Sequence, residues 1–216
     1  MKKPPPGRPG LSRERVLCAA LALVDREGLG AVSMRRVGEE LGVEAMSLYN
    51  HVANKAAMLD GVFEAVLAEV EPSVPAAGGA SWQGALRGRA RALRAALGAH
   101  PNALPLFANR PAVTPASLAH VEETLEALRS AGFGVDDALS ALGVLVAFVV
   151  GHALSSYGRR EPSEASHPAY ERLPAERFAR VREASRALVR HDLEAEFEFG
   201  LDAILAGFEA RLGGGR

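Results

Sequence analysis

Residues 32–52 read Val32-Ser-Met-Arg-Arg-Val-Gly-Glu-Glu-Leu-Gly-Val-Glu-Ala-Met-Ser-Leu-Tyr-Asn-His-Val52. Ser33 is a fair N-cap for a short helix carrying Val37 and Leu41. Gly42 breaks that helix and can take a positive φ that would strain other residues. A second short helix follows with Leu48 and Tyr49 and ends near 51–53. Val37, Leu41, Val43 and Leu48 make the small core that locks the two helices at an angle, the pattern of a helix-turn-helix. The second of these helices projects Ala45, Met46, Ser47, Tyr49, Asn50 and His51, short polar and aromatic groups suited to base edges and phosphates in a major groove. Small three-helix units also occur without DNA, so at this level both readings stay open.

Working outward, a helix precedes the motif, with Leu17, Ala20, Leu21 and Val24 at spacings of three and four and a stop at Gly28. Asn54 is the N-cap of a further helix, from Lys55 to about Val70. Residues 1–12 are rich in proline, glycine and basic residues and read as a disordered arm. Residues 71–80 read as a linker-like loop. Helices follow at 81–99, 115–131 and 136–157, then a polar loop marked by Pro162, Pro168 and Pro174, then helices at 175–190 and about 193–212. Leu193–Phe199 alternates apolar and acidic residues, a strand pattern. The longer stripe of Phe197, Leu201, Ile204, Leu205, Phe208 and Leu212 favours helix, and no second strand candidate exists to pair with it. The fold class is therefore all-α.

The 216 residues allow one large or two small domains, and 48% hydrophobic with 24% charged residues is an ordinary soluble balance. Cys18 is the only cysteine, which excludes an internal disulfide and a cysteine-cluster metal site. It is read on the apolar side of the first helix as inert packing. The formal net charge of −1 argues against a bulk nucleic-acid coat protein. It divides unevenly: residues 1–60 hold nine Lys and Arg against seven acids, so the remainder carries −3.

The start lacks the apolar stretch of a secretory signal. Residues 138–158 are free of charge and approach the ~20 residues of a membrane span. Ser140, Gly143, Gly151, His152, Ser155 and Ser156 dilute them, so a buried or subunit-interface helix is expected and no membrane partner. The six histidines, His51, His100, His120, His152, His167 and His191, form no His-x-x-x-His pair. Glu122-Glu123 and Asp136-Asp137 read as a solvated face and a helix N-terminus, and no catalytic set or phosphate-binding loop is present.

Leu41–Asp60, with Leu48-Tyr49-x-His51-Val52-x-Asn54-Lys55 at its centre, resembles the tetracycline-repressor family of bacterial regulators. Ser81-Trp82-Gln83, Asn109-Arg110-Pro111, Gly132-Phe133 and Phe199-Gly200-Leu201 resemble that family's C-terminal domain. The resemblance implies a cytoplasmic homodimer: an arm at 1–12, a DNA-binding domain at 13–54, a connecting helix at 55–70 and a ligand-binding, dimerising domain at 71–216. It implies DNA contacts at Arg35, Ala45, Met46, Ser47, Tyr49, Asn50, His51 and Lys55, with Tyr49 and Lys55 at phosphate-contacting positions. Ala45-Met46-Ser47 and Asn50 depart from the tetracycline repressor's own base-reading residues, so a different operator is expected.

On the ligand side, the family's two magnesium-holding positions fall at Leu106 and Ser155, and three drug-contacting positions at Glu71, Arg89 and Leu93. No metal and no cofactor is therefore expected. The resemblance leaves an apolar cavity lined by Leu93, Leu106, Phe107, Leu139, Val146 and Ala147, with Arg89, Asn109, Arg110, His152 and Ser155 as polar candidates. Each aliphatic residue is also readable as plain core, and His152 as a satisfied buried histidine. The expected function is a regulator, a repressor in preference to an activator, that a largely apolar small molecule releases from a palindromic double-stranded operator. Two alternatives remain: a helix-turn-helix regulator without a ligand, and a small-molecule enzyme with a vestigial head.

Overall fold

The computed structural model describes residues 10–70, 81–160, 170, 173–188 and 191–214. Residues 1–9 of the expected arm, the loop at 71–80 with Glu71, and most of the polar loop with Pro162, His167 and Pro168 lie outside them. Among the described residues ten α-helices run in the order α1 (Arg13–Glu27), α2 (Met34–Leu41), α3 (Ala45–Leu48), α4 (Lys55–Ala68), α5 (Trp82–Ala99), α6 (Leu104–Asn109), α7 (Pro115–Ser130), α8 (Val135–Arg160), α9 (Ala175–Leu188) and α10 (Leu193–Gly214). No strand occurs among the described residues, and the alternating segment at 193–199 is the first two turns of α10.

Local chemistry sets the boundaries. Ser12, Ser33, Asn54, Ser81 and Thr114 each accept a backbone N–H at a helix start, and Thr114 exchanges bonds with Ser117 in a capping box. Short 3₁₀ turns at Leu29–Ala31 and Pro101–Ala103, and the six-residue α6, were not foreseen in the sequence. All three are too short to show a period, and the latter two are directed by Pro101 and Pro105 near their starts.

Helices α1, α2 and α3 pack around Val16, Ala20, Leu23, Val24, Val37 and Leu48, all essentially without solvent exposure. The first turn of α4 closes this head, and its remaining turns run into the larger C-terminal unit. The join is close: a Cβ built at Gly61 on α4 would lie 2.2 Å from a Leu17 methyl on α1. Arg13 on α1 forms a two-pronged bond with Glu64 on α4, at 2.8 and 2.9 Å. That bond holds the Glu64 carboxyl below its ordinary pKa, against a smaller opposing effect of burial.

One expectation fails here. Cys18 is exposed, because it stands one step, about 100° of helix rotation, beyond buried Leu17.

In the larger unit α8 lies against α5, α6, α7 and α10. Its segment Val135–Tyr157 is long and apolar enough to cross a membrane by length and composition. One face supplies Ala138, Ala141, Leu145, Val149 and Val150 to the core. Its other sides leave Leu139, Val144 and Leu154 exposed, as α10 leaves Phe199.

Candidate DNA-reading head and interior cavity

The turn between α2 and α3 rests on two glycines. Gly42 caps α2 in the left-handed region, at φ 67° and ψ 36°. Gly38 lets α3 approach, since a Cβ there would stand 2.9 Å from the Val43 carbonyl oxygen. Val43 donates its N–H to the Gly38 carbonyl oxygen at 2.9 Å, and Leu48 is buried beneath. The outer face of α3 is thereby presented to solvent. Met46 is 73% exposed and Tyr49 47%, Asn50 and Lys55 are also exposed, and Ala45, Ser47 and His51 are half-buried beside them. Arg35 extends from α2 with its side chain 80% exposed and within 3.2 Å of Glu39. All eight sequence-predicted DNA positions thus fall on α2, α3, the turn that follows it and the start of α4, on the solvent side of a filled core.

A cavity of about 290 Å³ opens in the larger unit. Its walls are Phe63 and Leu67 from α4 and Val70 just after it, Ala90 and Leu93 from α5, Phe107 from α6, Val121 from α7, and Leu142, Val146 and Val149 from α8. Phe63 and Phe107 stack, with ring centroids 4.4 Å apart. The polar lining is Arg89, Arg110, Ser117, His120 and Thr124. A mostly apolar wall with a few polar groups is the usual form of a small-molecule site.

Of the expected cavity residues, Arg89, Leu93, Phe107, Arg110 and Val146 line it. The other six do not. Leu139 is 54% exposed and Ala147 is exposed too, because both lie on the outer face of α8. Leu106 is buried in the core beside Phe107, one helix step from the wall. Asn109 is exposed and donates to the Pro105 carbonyl at 3.0 Å. His152 is buried where α8 meets α10, edge-on to Phe197 and 3.2 Å from the Ser156 hydroxyl. Ser155 is exposed on α8.

The sequence reading missed His120, Thr124 and Ser117. Among isolated polar residues on a surface-patterned helix, none carries a local signal; only the approach of α5 to α7 makes them a wall. A second cleft, of about 390 Å³, lies between α5, α8 and α10, and there Arg91 and Arg94 are bound to Glu198 and Glu194.

A polar junction ties the head to the cavity unit. His100, at the end of α5, places Nδ1 2.9 and 3.0 Å from the Asp25 carboxylate on α1, and Nε2 3.0 Å from Glu69 at the end of α4. Asn102 donates to the Asp25 carbonyl at 2.9 Å. Burial opposes protonation of the imidazole, but the bonds to the two carboxylates outweigh it and hold its pKa above the ordinary value.

Among the described residues no cluster of His, Cys, Asp and Glu could hold a metal ion.

Comparison with known proteins agrees with this geometry. Residues 16–62 match the family model for bacterial regulatory proteins of the tetR family, and residues 74–212 that for the tetracyclin repressor-like C-terminal domain. An HTH-type transcriptional regulator of Saccharopolyspora erythraea is 33% identical over 95% of this chain and 88% of its own. The class D tetracycline repressor protein of Escherichia coli is 33% identical over 94% of this chain and 91% of its own. The crystal structure of the Streptomyces coelicolor TetR family protein ActR in complex with actinorhodin superposes with a TM-score of 0.84. It shares 32% identity over 97% of this chain and the whole of that one. With both halves matched in order across nearly its full length, the chain belongs to the tetR family of bacterial regulatory proteins.

Proposed function

We propose that this protein is a cytoplasmic, homodimeric transcriptional repressor, without enzymatic activity, that a largely apolar small molecule releases from a two-fold symmetric operator. The observation that carries the reading is the double duty of α4. Its last turns, with the chain just beyond them, wall the cavity with Phe63, Leu67 and Val70, and its first residue, Lys55, follows the recognition turn directly. A molecule filling the cavity therefore presses on the element that carries the head. The organisation that goes with this is an arm at 1–12, a head at 13–54, a connecting helix at 55–70 and an effector and dimer unit at 71–216.

Each subunit of the dimer sets one α3 in a major groove, with Arg35, Ala45, Met46, Ser47, Asn50 and His51 toward base edges and Tyr49 and Lys55 toward phosphates. The dimer forms through the outer faces of α8 and α10, where Leu139, Val144, Leu154 and Phe199 expose a stripe that soluble monomers avoid. Reversing a 1:99 balance between bound and released forms takes a differential effector affinity of about 5.5 kcal/mol per dimer, shared by two cavities.

The relatives whose names or structures mention tetracycline, actinorhodin and minocycline support a multi-ring effector. The apolar wall supports one that needs no divalent metal. The test is release of a labelled fragment of the DNA upstream of the protein's own gene, titrated with hydrophobic fused-ring compounds with and without chelator. Release by several of them, unaffected by chelator, is expected. Release by magnesium–tetracycline alone, abolished by chelator, overturns the metal-free assignment. A monomer at micromolar concentration in sedimentation overturns the dimer.

A further inference from the structure

The polar groups of the cavity differ in what they have left to offer. Arg89 donates to Thr124 at 3.1 Å and to the His120 carbonyl at 3.4 Å, and it pairs with Glu123. Arg110 pairs with Asp60 and reaches the Ala56 carbonyl at 3.3 Å. Ser117 is consumed by the Thr114 capping box, and the Thr124 hydroxyl donates to the His120 carbonyl at 2.9 Å. The imidazole of His120 is the exception: its ring has no hydrogen bond to any described residue, yet it borders a wall otherwise made of hydrocarbon and tied-down groups. A half-buried ring nitrogen in such a place is satisfied by water or by what fills the cavity.

We propose that His120 is the effector-recognising residue of the cavity, and that the effector carries a phenol-type hydroxyl on an apolar ring system, which donates its hydrogen bond to the imidazole. The inference rests on reading this cavity as the effector site. Burial and the neighbouring charge of Arg89 push the imidazole below its ordinary pKa, with Glu123 opposing them. At neutral pH the ring is therefore uncharged and keeps one acceptor nitrogen. The charged groups on the packed elements are Arg89 on α5, Glu123 on α7, and Arg110 at the end of α6 with its partner Asp60 on α4. The facing segment of α8, residues 138–158, has none. The Arg89 guanidinium favours negative charge building on an oxygen beside it, which suits an acidic hydroxyl and disfavours an organic cation. A carboxylate ligand would instead require the ring as a donor, and its binding would strengthen as the imidazole protonates.

That opposite sign is the test. The probes are 2-naphthol, 2-methoxynaphthalene and 2-naphthoate, titrated against the full-length protein by ligand fluorescence between pH 5 and 8, where 2-naphthol keeps its proton. The expected result is that 2-naphthol binds about three- to tenfold more tightly than its methyl ether, the range of one hydrogen bond. That preference disappears in His120→Phe and weakens as pH falls through the imidazole's pKa, which lies below the ordinary value. His120→Asn, which keeps an acceptor but does not titrate, retains part of the preference without the pH dependence. Leu93→Trp, which fills the cavity, abolishes binding of every probe and so locates it.

A preference for 2-naphthoate that grows on acidification overturns the hydroxyl assignment. Equal binding of naphthol and its ether, indifferent to His120, overturns the role of His120 and leaves the apolar cavity reading intact. No binding of any of the three overturns that reading itself, and the proposal with it.

Discussion

The head and the cavity unit are built to opposite plans. In the head the interior is filled and the working side chains stand outside: Leu48 is fully buried while Met46, two residues away, is 73% exposed. In the cavity unit the working surface is inside. There α4, α5, α6, α7 and α8 hold back from one another around about 290 Å³, and every polar side chain on the wall except His120 is engaged within the protein. The difference separates two kinds of tolerance. The face of α3 can change its residues without touching what folds the head. A change in the cavity wall alters ligand fit and packing together, but starts from contacts already forgone.

The largest effect that would break this comparison lies in the head's core. Leu48→Ala is expected to lower stability by about 2–5 kcal/mol in chemical denaturation. Half-buried Leu93, already facing hollow space, should lose only about 1 kcal/mol on the same change. Equal losses would mean that the cavity is filled in solution. Next, Gly38→Ala is expected to destabilise the head by about 1–3 kcal/mol, because its new methyl meets the Val43 carbonyl oxygen at 2.9 Å.

Lys55→Ala and Tyr49→Phe test the surface side. Each should weaken operator binding without changing which sequence is preferred, and the Lys55 change should make the salt dependence shallower by about one unit of log–log slope. A changed sequence preference at constant slope would assign Lys55 to a base.

The junction between the two units carries a pH signature. His100 has a raised folded-state pKa, so the stability it contributes is complete below the ordinary value of 6.5 and is lost as pH rises through the folded value. Denaturation from pH 5.5 to 9 should show that decline, and His100→Asn should flatten it. An unchanged slope in that variant would place the titrating group elsewhere.

The smallest expected effect has the opposite sign. Gly143 lines the cavity on α8, and a Cβ there meets nothing within 4 Å. Gly143→Ala should therefore raise stability by about 0.5–1 kcal/mol while narrowing the cavity. A loss would show that the wall is tighter than described.

The head was legible because its determinants are local. Ser33, Gly42 and Asn54 act on backbone within three residues of themselves, and the buried side of α2 repeats at helical spacing. Gly38 escaped notice because a close approach is a property of two segments, and only one is visible in a stretch of sequence. The cavity was legible by half. Helix α8 is apolar on nearly every side, so periodicity could not orient it, and Leu139 and Ala147 were placed inward although both face out. Leu106 and Phe107 are neighbours in sequence yet divide between core and cavity, because α6 is too short to announce its facing. Cys18 was misplaced for a similar reason, since one residue is enough to leave a buried stripe. The engagement of Arg89 and the open ring of His120 come from the meeting of α5 and α7, which no spacing within either helix encodes.

The contact between Leu17 and Gly61 has a bearing on how this chain can change over generations. With a Leu17 methyl 2.2 Å from where a Cβ on residue 61 would sit, the two positions share one fixed volume. Neither can enlarge alone. In a lineage descended from this sequence they should vary as a pair, with alanine or serine entering at 61 only where 17 has shrunk to valine or alanine. The exposed positions 46 and 49 should drift independently of both. An inherited dependence of that kind would let the target DNA be rewritten many times over while the seam between the two units stayed recognisably the same.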